Sequence, residues 1–262
     1  MNFDKKDYTF SDLIDIIYML RSDNGCPWDR VQTHDSIKMN LVEEAYEAIE
    51  ALDSGDKMKF ADELGDILLQ VVFHSVIGEE DKTFAVSDVI NAVCHKMVSR
   101  HTHIFGNDKA DTPDEVLDTW NKNKLIEKGL KSNAEDLKSV CHYLPALIRA
   151  RKVQSKAAKV GFDWDSVSGA LDKLSEEIEE LKSAINAQNE ENISEELGDL
   201  IFSAVNVSRF LKVEPEEALT KSTEKFISRF EKLENAAKSQ NKELSDMSLS
   251  EMDKLWEDIK KQ

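Results

Sequence analysis

The chain carries one acidic signature twice. Residues 43–47 read EEAYE and residues 63–66 read ELGD, while residues 176–180 read EEIEE and residues 196–199 read ELGD again. Both pieces recur at an offset of 133 residues, so the spacing from Glu47 to Glu63 is reproduced from Glu180 to Glu196. An acidic surface drifts, whereas two acidic clusters at a fixed gap, repeated, point to a duplicated unit that holds something cationic. The 262 residues suit two units of about 130 each. We expect a first helical domain over 1–128, a linker over 129–144 and a second helical domain over 145–262. The polar stretch 127–141, which has no clear amphipathic face, marks the join.

Nine glycines and four prolines leave room for long helices. Phe10, Leu13, Ile14, Ile17 and Leu20 are spaced for one helix face, which predicts a helix over 10–21 that the segment Gly25-Cys26-Pro27-Trp28 breaks. Further helices are expected at 35–53, 57–77 and 85–100. The second half repeats the plan at 145–159, 167–187, 191–211 and 215–237, followed by a terminal helix at 248–261. Asp53-Ser54-Gly55-Asp56 reads as a turn. Alternating β-branched runs are nearly absent, so the expected fold is all-α, a tandem duplication of a four-helix unit. The run Ile67–Phe73 makes the third helix central to its bundle.

Residues three and four apart share a helix face. Glu44 and Glu47 therefore project together, as do Glu63 and Asp66 on the next helix, and a short turn sets the two helices antiparallel. Glu177, Glu180, Glu196 and Asp199 repeat the arrangement. Converging carboxylates repel unless a cation lies among them, and oxygen-only ligands favour hard ions, Mg²⁺ or Mn²⁺. Solvated helix faces are the simpler reading for either cluster alone; repetition beside apolar residues weighs against it. A di-iron bundle would need Glu-x-x-His on two helices, and none of the six histidines follows a glutamate by three positions.

Cationic and aromatic residues recur too. Lys96 and Arg100 stand four apart, as do Lys225 and Arg229; Trp120 and Lys124 stand four apart, as do Trp256 and Lys260. Lysine and arginine hold phosphate oxygens, and tryptophan stacks a flat base. Together with a hard metal they suggest a nucleotide polyphosphate. His101 and His103 have no counterpart in the second half and read as structural. A net charge of −18 argues against nucleic acid and anionic membranes as partners. The three cysteines form no CxxC pair, the start MNFDKKDYTF has no apolar signal core, and a reducing cytoplasm is the expected compartment.

These motifs resemble the MazG family of nucleoside triphosphate pyrophosphohydrolases over essentially the whole chain. The resemblance rests on Gly25-Cys26-Pro27-Trp28-Asp29, Glu43-Glu44 with Glu47, Glu63-Leu64-Gly65-Asp66, and Arg100 to Phe105. In the second half it rests on Val160 to Trp164, Glu176-Glu177 with Glu180, Glu195 to Asp199, and Lys225-Phe226 with Arg229. It implies an all-α enzyme, a homodimer, that hydrolyses NTPs and dNTPs to monophosphate and pyrophosphate with Mg²⁺, with the second half carrying the activity. Carried over by position, Glu177, Glu180, Glu196 and Asp199 would bind metal. Lys173, Lys225, Arg229, Trp256 and Lys260 would hold nucleotide, as would Glu195 and Glu176; Glu176 would also orient or deprotonate the attacking water. The first-half counterparts are Glu44, Glu47, Glu63, Asp66, Lys96, Arg100, Trp120 and Lys124. The resemblance also implies a lysine four residues before the ExxD glutamate. That position is Asn192 in the second half and Lys59 in the first, while Lys173 aligns with Asn40. The alternatives are a non-catalytic nucleotide-binding adaptor and a phosphatase that releases phosphate stepwise.

Overall fold

The computed structural model describes residues 5–130 and 132–261. The first four residues of the amino-terminal segment and residue 131 of the expected linker lie outside them. Among the described residues there are helices and turns and no strand, as the sequence predicts. The chain divides into two compact units, Met1–Lys124 and Leu125–Gln262.

In the first unit the helices are α1 (Phe10–Arg21), α2 (Pro27–Arg30), α3 (His34–Ile37), α4 (Asn40–Ser54), α5 (Lys57–Glu80), α6 (Val86–Arg100), α7 (Thr102–Phe105) and α8 (Pro113–Lys128). The helix expected over 35–53 is two pieces, α3 and α4, separated at Lys38 and Met39. The reason is packing: α3 is pinned to α5, with the His34 ring stacked on His74 at 5.1 Å and on Phe84 at 5.9 Å. Gly55, at φ +77°, closes α4 in the left-handed conformation that glycine adopts without strain. Asp56 then caps α5 by accepting from Met58 and Lys59 amides.

α5 is the spine of this unit. Its carboxy-terminal half buries Val72, Phe73, Val76 and Ile77 against Ile17 and Ile37, with Leu13, Ile14, Leu20 and Leu69 packed around them. Arg21 ties the segment after α1 to that core. Its buried guanidinium donates to Glu80 at 2.6 and 3.0 Å and to the Asp29 and Gln32 carbonyls at 2.6 and 3.1 Å. The amino-terminal half of α5 packs along α4 and carries the acidic residues.

The second unit holds α9 (Asn133–Lys138), α10 (Ala146–Lys159), α11 (Val167–Asn186), α12 (Glu190–Phe210), α13 (Pro215–Ser239), a 3-10 turn (Leu244–Asp246) and α14 (Leu249–Lys260). α9 is a helix within the expected linker, started by the Ser132 hydroxyl accepting from the Glu135 amide and held to α10 by a Lys156–Asp136 ion pair. α11 and α12 repeat the α4–α5 pair, and α13 pairs with α14. Gln154 of α10 donates to the Phe202 carbonyl at 2.8 Å, fixing α10 against α12. Truncating Ile17 to alanine is expected to lower the free energy of unfolding by about 2–5 kcal/mol, read from urea denaturation of the full chain.

Candidate metal centre

Each helix pair brings three carboxylates together. Oxygen atoms of Glu44, Glu63 and Asp66 lie within 4.8 Å of one another, and so do those of Glu177, Glu196 and Asp199. The local reason is the one read from spacing: ExxE on one helix faces ExxD on its antiparallel neighbour. Glu63 is 9% exposed and Glu177 4%, so these are not solvated surface acids. Glu47 and Glu180 stand beside the trios rather than inside them. The Glu47 charge acts on Glu63, and Glu180 is hydrogen-bonded to Glu177.

The environment opposes ionisation. Loss of solvent, followed by the charges of Asp66, Glu47 and Glu63, holds the Glu44 carboxyl above the usual range, against a hydrogen bond from Gln70. Glu63 is raised by loss of solvent first, then by Glu47, although the charge of Lys59 opposes the shift. Glu180 is raised by loss of solvent and by its bond to Glu177, although Lys173 opposes the shift. Carboxylates that converge so closely, with Glu44 and Glu63 resisting ionisation, fit a hard divalent cation.

Of the remaining site residues, Lys173, Glu176 and Glu195 share the carboxylate helices of the second unit and the others fall on other elements. Lys173 belongs to the second cluster: its Nζ is 2.8 Å from Glu177, 2.9 Å from Glu176 and 3.9 Å from Glu180. Its ammonium pKa is raised by Glu177 first and then Glu176. Glu195 is exposed on α12. In the second unit the cationic and aromatic residues sit on α13 and α14. Phe226 lies against Trp256 at 5.3 Å, the Arg229 charge acts on Glu257, and Lys260 pairs with Glu257 at 2.6 Å. Lys225 is exposed. In the first unit Arg100 covers the Trp120 ring at 5.2 Å, and His101 meets its edge at 4.8 Å. His101 also bonds to the Met97 carbonyl at 2.7 Å, a structural role. Lys96 is exposed on α6, and Lys124 is half-buried on α8. Thus the carboxylates occupy α4–α5 and α11–α12, and the second unit's cations and rings, Lys173 apart, occupy the separate α13–α14 pair.

Two contributors escape the motif reading. Gln70, 7% exposed, bonds Glu44; its signal is a lone polar residue four positions after Asp66 in an otherwise apolar run. Phe226 is visible in the sequence only as part of the Lys225-Phe226 dipeptide.

The model of the MazG nucleotide pyrophosphohydrolase domain matches residues 32–105 and again 166–233. The chain belongs to the MazG family. Both carboxylate trios lie inside the matched segments, whereas Trp120, Lys124, Trp256 and Lys260 lie outside them. The chain is 43% identical over 251 residues to the Thermotoga maritima nucleoside triphosphate pyrophosphohydrolase/pyrophosphatase MazG, covering 96% of this chain and 95% of that one. It is 36% identical to the Escherichia coli K12 nucleoside triphosphate pyrophosphohydrolase over 95% of this chain and 96% of that one. It is 48% identical to Bacillus subtilis YabN over 97% of this chain, which spans 52% of that protein.

The raised acids give a signed stability prediction. A carboxyl whose folded pKa lies above its unfolded value stabilises the fold fully below the unfolded pKa, and that contribution is lost as pH rises through the folded pKa. At neutral pH without metal, Glu44→Gln should therefore melt higher than the parent chain. The gap should close as pH falls below the ordinary glutamate range and should reverse when excess Mg²⁺ is present. Thermal melts at several pH values, with and without the ion, check all three statements.

Proposed function

We propose that this chain hydrolyses nucleoside triphosphates and their deoxy forms to monophosphate and pyrophosphate by water attack at the α-phosphorus. The observation that carries the reading is the pair of carboxylate trios inside two matched MazG nucleotide pyrophosphohydrolase domains. The named activity of relatives aligned along nearly the full chain supports it.

Glu177, Glu180, Glu196 and Asp199 would hold Mg²⁺, or Mn²⁺ in its place, with Glu44, Glu47, Glu63 and Asp66 as the corresponding set. When bound, the ion supplies Lewis acidity, lowering the pKa of the attacking water and offsetting charge on the phosphates. Glu176 precedes Glu177, outside the trio, and is the group assigned to orient the water and accept its proton. The water oxygen bonds to the α-phosphorus as the bond to the bridging oxygen breaks, and pyrophosphate leaves with that electron pair. Lys225 and Arg229 stabilise the charge that grows on the phosphate oxygens. Lys173, Glu195 and Lys260 contact the nucleotide, and Trp256, braced by Phe226, stacks the base. Lys96, Arg100, Trp120 and Lys124 are the counterparts in the first domain.

The domain boundaries proposed are 1–128 and 145–262, with 129–144 as the join; the compact units, which divide after Lys124, support a boundary in that region. A homodimer is proposed as the working form. Apolar residues stay exposed along the helix pairs, including Tyr46, Ile49 and Leu68 in one unit and Ile178, Ile201 and Phe202 in the other, and such surface favours association. Apart from Lys173, the cations and rings lie on different helices from the carboxylates, which also suits a site completed by packing between helices. No helix among the described residues is long and apolar enough to cross a membrane. Three unpaired cysteines suit a reducing cytoplasm.

The test resolves monophosphate, diphosphate, pyrophosphate and phosphate made from each common NTP and dNTP, with and without Mg²⁺. Monophosphate with pyrophosphate, only with metal, is expected; stepwise phosphate, or binding without turnover, would refute the reading. Glu196→Gln should lower kcat by at least about a hundredfold, and comparison with Glu63→Gln assigns the activity to a half. Trp256→Ala should raise KM about tenfold with kcat little changed, the scale of a stacking contact worth ~1–3 kcal/mol.

A further inference from the structure

The two carboxylate clusters differ in one respect that the shared motifs conceal. In the second unit an ammonium is already present. Lys173 Nζ lies 2.8 Å from Glu177, a member of the trio whose side chain is 6% exposed, and it reaches Glu176 at 2.9 Å and Glu180 at 3.9 Å. In the first unit Asn40 holds the equivalent position, at the start of α4. Among the described residues no ion pair reaches Glu44, Glu63 or Asp66. Lys59 lies on the same helix, but its Nζ is paired with Glu50 at 3.7 Å. A neutral group, Gln70, bonds Glu44 instead, and Ser203 stands where Gln70 would be. The duplicated site has thus diverged: the second cluster holds an ammonium at ion-pair distance, whereas the first is reached only by the charge of Lys59, which acts on Glu63 without an ion pair.

We propose that Lys173 is a resident counter-cation of the second cluster that competes with the divalent ion, so that metal and polyphosphate enter this site together while the first cluster loads metal alone. The proposal rests on the pyrophosphohydrolase reading and concerns how that site is regulated. An ammonium and a divalent cation seek the same Glu177 oxygens. Metal arriving alone must displace Lys173 from Glu177, its buried partner, with no other anion offered in exchange. A triphosphate offers it another anion. With the ammonium drawn onto phosphate oxygens, the Glu177 oxygens are released to ligate. Metal and polyphosphate then assist each other's binding, and the assistance is reciprocal. The consequence is a site that stays without metal until a substrate bearing several phosphates arrives.

The test measures Mn²⁺ binding to the full chain by the loss of the free-ion EPR signal, without nucleotide, with Glu63→Gln in every sample to suppress the first cluster. Lys173→Met should tighten Mn²⁺ binding by about tenfold or more, a discounted value for removing a like charge at ion-pair distance, and Lys173→Arg should not. Adding a non-hydrolysable triphosphate analogue should tighten Mn²⁺ binding strongly with Lys173 present and markedly less in Lys173→Met. Lys173→Gln repeats the comparison with a polar side chain. Thermal melts establish that each variant folds: Lys173→Met should melt lower than its parent without metal and recover with Mn²⁺. Unchanged or weaker Mn²⁺ binding in both neutral variants would overturn the proposal. Glu196→Gln separates the two ideas. If it loses Mn²⁺ while Lys173→Met changes nothing, only the competition fails; if it binds Mn²⁺ like its parent, the carboxylate site itself is misassigned.

Discussion

Three carboxylates held within 4.8 Å of one another on partly buried helix faces repel, and much of each unit is arranged around that repulsion. Desolvation and neighbouring charge push Glu44 and Glu63 of the first trio, and Glu180 beside the second, towards protonation. A bundle built for stability alone would place leucine there. The acids persist because the helices that carry them are fixed elsewhere. In the first unit the fixing is done by the carboxy-terminal half of α5, whose apolar contacts with α1 and α3 form the core. The same helix is therefore scaffold at one end and site at the other.

That division explains why the acidic geometry is repeated so closely while its surroundings are not. The turn joining the two helices and the ExxE–ExxD facing set the carboxylates, and these are common to both units. The charges around them come from side chains free to change: Asn40 against Lys173, Lys59 against Asn192, Gln70 against Ser203. Each exchange leaves the helix pair intact, since none of these residues shapes the backbone of the turn, yet each alters how the trio is neutralised. Cations and rings are divided differently as well. Arg100 and Trp120 contact each other directly, whereas the Arg229 charge acts on Glu257 of α14 and Phe226 lies tilted against Trp256.

The departures from the sequence reading have local physical causes. Residues 34–54 keep an amphipathic pattern throughout, so nothing in the periodicity announces the break at Lys38 and Met39. It arises because His34 and Ile37 are held to α5 by ring stacking and core burial. The join between the halves reads as linker because its apolar residues are few, but Ser132 starts a short helix there and an ion pair secures it. Four carboxylates per cluster share the motif spacing. Three of them come within 4.8 Å of one another, while Glu47 and Glu180, a further turn along their helices, stand beside the trio, Glu180 bonded to Glu177.

The sequence by itself determined the duplication, the all-α class, the limits of most of the long helices, though not α8, and the identity of the acidic residues. Those follow from local rules: helical periodicity, caps, and an identical tetrapeptide at a fixed offset. Tertiary structure decided which acids approach, how far solvent is excluded from them, and that Lys173 already sits among three of the second unit's glutamates. Helical spacing puts residues on a face; packing across the pair sets the distances, and electrostatic competition depends on distance and on the water excluded.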